Sequence, residues 1–138
     1  MDGPSQSLPK VDLPDRAFRI WKYAAGHSWL LLRSPMSVDT ASEGRLFATR
    51  VDVLFTYVHA IQLPTFLTGL TISVLEGEPA QTVLGDIGRR PDHTQKVFAL
   101  TGSDYRGCLI AGHVTVAEDE GGYDEPSKIW SVEYGYFG

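Results

Sequence analysis

The sequence predicts an all-β domain, an antiparallel sandwich or barrel of about seven strands, with an α+β variant carrying one short helix as the neighbouring class. Three observations predict it. Apolar residues recur with period two, most clearly at Val51, Val53 and Phe55. β-Branched and aromatic residues gather in the same segments. Glycine and proline punctuate the chain at short intervals, without the strand–helix alternation that a parallel sheet needs.

The elements follow in order. Residues 1–15 hold Pro4, Pro9 and Pro14 among polar residues and show no periodicity. They are expected to form an extended or mobile leader, and residues 16–138 a single β-rich domain. Pro14 is expected to delay the first strand to residue 17. Phe18 and Ile20 then alternate with Arg19, Trp21 and Tyr23. After a connection at residues 24–27, Ser28 to Ser34 is almost continuously apolar, which suits a strand covered on both faces.

Residues 46–63 carry the strongest β signal, with Val51, Val53, Phe55, Tyr57, His59, Ile61 and Leu63 on one parity. An unbroken strand of that length would reach roughly 60 Å, too long for a domain of 138 residues. The strand must therefore bend near Thr56–His59. Pro64 ends it, residues 65–69 are expected to turn, and Leu70 to Leu75 to return as a strand. Residues 76–95 are broken by Gly77, Pro79, Gly85, Gly88 and Pro91. Within them, Pro79 to Leu84 fits a short helix or another strand, and no helix of ten residues is expected. Lys96 to Thr101 and Cys108 to Ala117 are expected to pair as a hairpin. A last strand is expected where Trp130, Val132, Tyr134 and Tyr136 share one face.

Composition narrows the function classes. With 43% hydrophobic and 21% charged residues the chain is no disordered tail. Strictly apolar runs, such as Trp29 to Leu32, fall far short of the ~20 residues that cross a bilayer. A net charge of −5 argues against nucleic acid as a partner. A faint basic–aromatic mix at Arg16, Arg19, Trp21, Lys22 and Tyr23 has no second stripe to match it. One cysteine, Cys108, gives no internal disulfide. With no secretory pattern at the start, the expected location is the cytoplasm. The chain has no asparagine, and eight arginines stand against four lysines. That bias suits a GC-rich bacterial genome.

The charge is unevenly spread. Residues 1–117 balance, with eleven acids and eleven bases, so the whole excess lies in residues 118–138. There Glu118, Asp119, Glu120, Asp124 and Glu125 form an acidic stretch suited to a basic partner. Its spacing does not fit a calcium loop.

No catalytic signature is present. The four histidines lack metal-ligand spacing, there is no Gly-x-Ser-x-Gly elbow, and Gly85-Asp-Ile-Gly88 lacks the third glycine of a phosphate cradle. No cofactor and no metal are expected. His59 and His113 each sit on an apparent apolar parity. With Tyr57 and Trp29 they are the candidate lining of a ligand pocket inside a barrel. Cys108 opens an apolar run and reads as a packed, inert thiol.

The stretch from Val51 to Pro64, followed by Leu70-Thr-Ile72, resembles a pattern in small β-rich bacterial proteins, some of them like the immunity proteins of polymorphic toxin systems. A strand reaches a Phe-x-x-Val core pair, bends, ends at Leu-Pro and returns through a glycine. The resemblance spans residues 51–72 and rests on packing residues. It implies a cytosolic all-β or α+β domain whose role is binding.

The expected function is thus a protein-binding or inhibitory, immunity-like domain that offers its acidic C-terminal surface to a basic partner such as a toxin domain. One alternative is a small-molecule-binding or enzymatic barrel with a His-lined pocket. The other is a structural homo-oligomer that pairs through its C-terminal strand.

Overall fold

The computed structural model describes residues 11–36, 47–122 and 125–129. Among these residues, eight strands and one helix follow one another: β1 (Val11–Ala24), β2 (Trp29–Ser34), β3 (Arg50–Thr56), β4 (Ala60–Gln62), β5 (Phe66–Leu75), α1 (Gly77–Ile87), β6 (Lys96–Thr101), β7 (Arg106–Ala111) and β8 (His113–Asp119). All pair antiparallel, in the order β4-β7-β6-β5-β1-β2-β3-β8. The all-β reading holds. The sheet is not closed into a barrel, and the expected strand at residues 130–136 lies outside the described residues.

The long strand bends where its length demands. β3 ends at Thr56, Tyr57 adopts φ +55°, and β4 begins at Ala60. β7 and β8 are likewise one run broken only at Gly112. The two broken strands lie side by side, Arg50 opposite Asp119 at one end and Gln62 opposite Cys108 at the other. Bonds from Gly112 N to Thr56 O (2.9 Å) and from His59 N to Ile110 O (2.7 Å) carry the ladder through the bend. This bent ribbon belongs to both ends of the sheet. One core can therefore draw on almost every strand, with Phe18, Leu32, Phe55, Leu70, Phe98, Leu109 and Val114 in a single cluster.

Three expectations are corrected. β1 begins at Val11, ahead of Pro14, and pairs with β5 from Val11↔Ile72. The register shifts between Leu13 and Ala17, so Pro14 sits in an irregularity where its missing N–H costs no ladder bond. Residues 66–69 belong to β5 rather than to a turn. Gly69, at φ +86°, lies so close to Pro14 that a Cβ there would stand 3.0 Å from the proline carbonyl oxygen. Finally, α1 has eleven residues. Ala80, Val83, Leu84 and Ile87, spaced for one helical face, pack on Val97 and Ile110 on the outer side of the sheet.

Candidate functional site

The acidic stretch begins on β8 and continues as an arm over the outer face of β2 and β3. Odd-numbered Val51, Val53 and Phe55 enter the core, so Arg50 and Asp52 point to the opposite face. Arg33 of β2 pairs in register with Asp52, and Arg50 with Asp119. The ladder thus sets two ion pairs side by side. Arg33 donates Nε and Nη2 to the two carboxylate oxygens of Asp52, at 2.8 and 3.1 Å. Arg50 does the same to Asp119, at 3.0 and 3.2 Å. Arg50 Nε also lies 3.9 Å from Asp52. Arg33, Asp52 and Arg50 are buried.

Arg50 satisfies its remaining donors with backbone. Nη1 donates to the carbonyls of Gly122 (2.9 Å) and Glu125 (2.8 Å), and Nη2 to that of Pro126 (3.2 Å). All five guanidinium N–H groups are used. The arm is wrapped around this one side chain. Beyond it, Ile129 packs with Leu31, Leu54, Trp21 and Trp29.

The candidate acidic residues divide accordingly. Burial pushes the Asp119 carboxyl up. The hydrogen bonds from Arg50 and the Gly121 N–H, with the charges of Arg50 and Lys128, outweigh it and hold the group below the usual carboxylate range. Glu118 is exposed and accepts a hydrogen bond from Thr49 Oγ1 (2.5 Å). Glu125 is exposed and accepts the Gly122 N–H (2.8 Å). Glu120 is exposed, and Asp124 lies outside the described residues. The stretch is therefore no freely solvated hairpin tip: Asp119 is half-buried and held by Arg50, and Glu118, Glu120 and Glu125 face solvent.

The expected pocket of His59, His113, Tyr57 and Trp29 does not form. The inward parity slips by one residue on both strands of the ribbon. It runs Val53, Phe55, then Val58 on one strand, and Leu109, Ala111, then Val114 on the other. The left-handed Tyr57 and the break at Gly112 cause the slip, as a bulge does. Tyr57, at 66% exposure, His59 and His113 consequently face outward. Arg89 donates to His59 Nε2. Trp29 belongs to the separate cluster under the arm. Phe55 and Val58 both lie in the main core cluster. Cys108 is buried, and burial followed by the charge of Asp86 raises its pKa, so it remains a thiol.

Sequence reasoning missed Arg33, Asp52 and Arg50. Their signal was Arg-x-Asp on the polar parity of the strongest strand, with another arginine in an otherwise apolar one. Comparison with known proteins returns no matching family model, no matching curated protein and no matching solved structure.

Proposed function

We propose that this chain is a protein-binding domain of inhibitory type that takes a basic partner along β8. The observation that carries the reading is the free edge of that strand. β8 is the last strand of the sheet and pairs only with β3 among the described residues. An unpaired edge offers a row of N–H and C=O groups to an added strand. Val116, at 41% exposure, lies at the centre of the edge, with Glu118 and Glu120 exposed beside it. Arg33 and Arg50 neutralise Asp52 and Asp119, so the flanking glutamates supply the negative field. Val116, Glu118 and Glu120 share one parity, so a partner strand with an apolar and then two basic residues at every second position matches that order, and carboxylates at the rim would speed its approach. Occluding a partner's surface requires no chemistry of the domain itself, which suits an immunity-like role against a cytoplasmic toxin.

The test is a titration of isotope-labelled protein with an extended peptide carrying valine, lysine and lysine at every second position, with threonine between them. Amide shifts should concentrate on residues 113–119. N-methylating one edge of the peptide should abolish them, and Glu118→Lys with Glu120→Lys should slow association about tenfold at low salt. Binding that ignores both changes overturns the proposal.

A further inference from the structure

We propose that the cleft beside the C-terminal end of α1 binds a small phosphorylated ligand. It is an open cleft of about 270 Å³, lined by Gln81, Leu84, Gly85, Gly88, Arg89 and Arg90. That volume lies near the lower end for small-molecule sites, enough for a phosphate on a short carbon skeleton.

Arg89 and Arg90 line the cleft with donors to spare. Arg89 donates Nε (3.2 Å) and Nη2 (2.7 Å) to His59 Nε2. Arginine has only donors, so His59 Nε2 accepts and its ring proton sits on Nδ1. This fixes the guanidinium and leaves three of its five N–H groups without an acceptor among the described residues. Arg90 makes no hydrogen bond or ion pair among those residues. The chain holds 17 acidic against 12 basic residues, and Arg33 and Arg50 are both matched to carboxylates. In the same loop, Oδ1 of Asp92 accepts the Thr94 N–H (2.8 Å) and hydroxyl (2.5 Å).

Gly85 is an independent observation. It lies inside α1, and a Cβ built on it meets nothing within 4 Å. Alanine is preferred over glycine in a helix interior, and neither backbone nor packing demands glycine here. Gly88 is different: at φ +78° it ends the helix and donates its N–H to Leu84 O. The missing side chain of Gly85 serves the cleft, whose floor it leaves open. The helix end opposes an anion with about half a negative charge, against two full positive charges. Guanidinium forks match phosphate oxygens in geometry.

The test uses inorganic phosphate and pyrophosphate at constant ionic strength, read by the amide resonances of Gly85, Gly88, Arg89 and Arg90. The expected result is saturable shifts confined to these residues. Arg89→Ala and Arg90→Ala should each weaken binding about tenfold. Gly85→Ala should raise the melting temperature by a few degrees, roughly as a helix-interior substitution does, while weakening binding about threefold or more. Shifts that chloride or a dicarboxylate reproduces, or a Gly85→Ala protein that is more stable and binds equally well, overturn the proposal.

Discussion

Arg50 and Asp119 stand opposite each other on β3 and β8 and share two hydrogen bonds, 3.0 and 3.2 Å long. The pair is separated by 69 residues of chain. It fixes where the acidic arm leaves the sheet, and so where the exposed glutamates lie.

Asp119→Ala removes one partner and leaves a buried guanidinium facing three carbonyls without its carboxylate. Loss of one member of a buried pair costs about 3–5 kcal/mol. Urea denaturation of the variant should show that loss, and limited proteolysis should cut within residues 119–129, where the arm is released. A loss below about 1 kcal/mol would mean that the pair behaves as a surface bridge.

Gly121→Ala tests how tightly the arm is wrapped. An added Cβ would stand 2.3 Å from Arg50 Nη2 and 2.4 Å from Cζ. A guanidinium end often swings aside, but here its five bonds hold it in place. The substitution should destabilise by about 1–3 kcal/mol. Gly122→Ala, whose nearest contact is Glu125 at 3.5 Å, serves as the control and should change stability by less than about 0.5 kcal/mol. Equal effects of the two in thermal unfolding would remove the special role of Gly121.

The bend offers a coupled pair. A Cβ on Gly112 would meet Tyr57 Cβ and Cδ2 at 2.9 Å, and Tyr57 carries φ +55°. Gly112→Ala should cost about 1–3 kcal/mol. Tyr57→Gly removes both the obstructing ring and the left-handed strain, so the double variant should regain a good part of that loss. A double-mutant cycle should give a coupling of about 0.5 kcal/mol or more, and strict additivity would sever the link.

The pH dependence follows from Asp119. Its folded pKa is depressed, against an unfolded value of about 3.9. The contribution is therefore complete above that value and is lost as pH falls through the folded pKa. As pH falls below about 4, wild-type stability should decline more steeply than that of Asp119→Asn. Parallel curves from denaturation at stepped pH would assign the acid sensitivity elsewhere.

Much of the fold was legible because two-residue rhythm and chain length are local signals. The bend near Thr56–His59 followed from the length of one run, and the β6–β7 hairpin from the glycines between its strands. The parity slip was not legible. A left-handed tyrosine looks like any other tyrosine in sequence, yet it turns His59 outward and Val58 inward. Pro14 misled because its effect depends on whether its N–H faces a neighbour, which only the register with β5 decides. The buried charges escaped for a similar reason: polar parity on a strand reads as solvent until another segment is known to cross it. The acidic stretch was visible as charge, but Arg50, which claims Asp119, is distant in sequence.

The doubled slip in the 50–62 and 106–119 ribbon has a kinetic consequence. Local hairpins can form early, whereas pairing along this ribbon joins distant parts of the chain and meets its entropic cost late. Until it does, the edges of β3 and β7 stand open together, so delay at the bend should favour self-association of refolding chains over slow recovery.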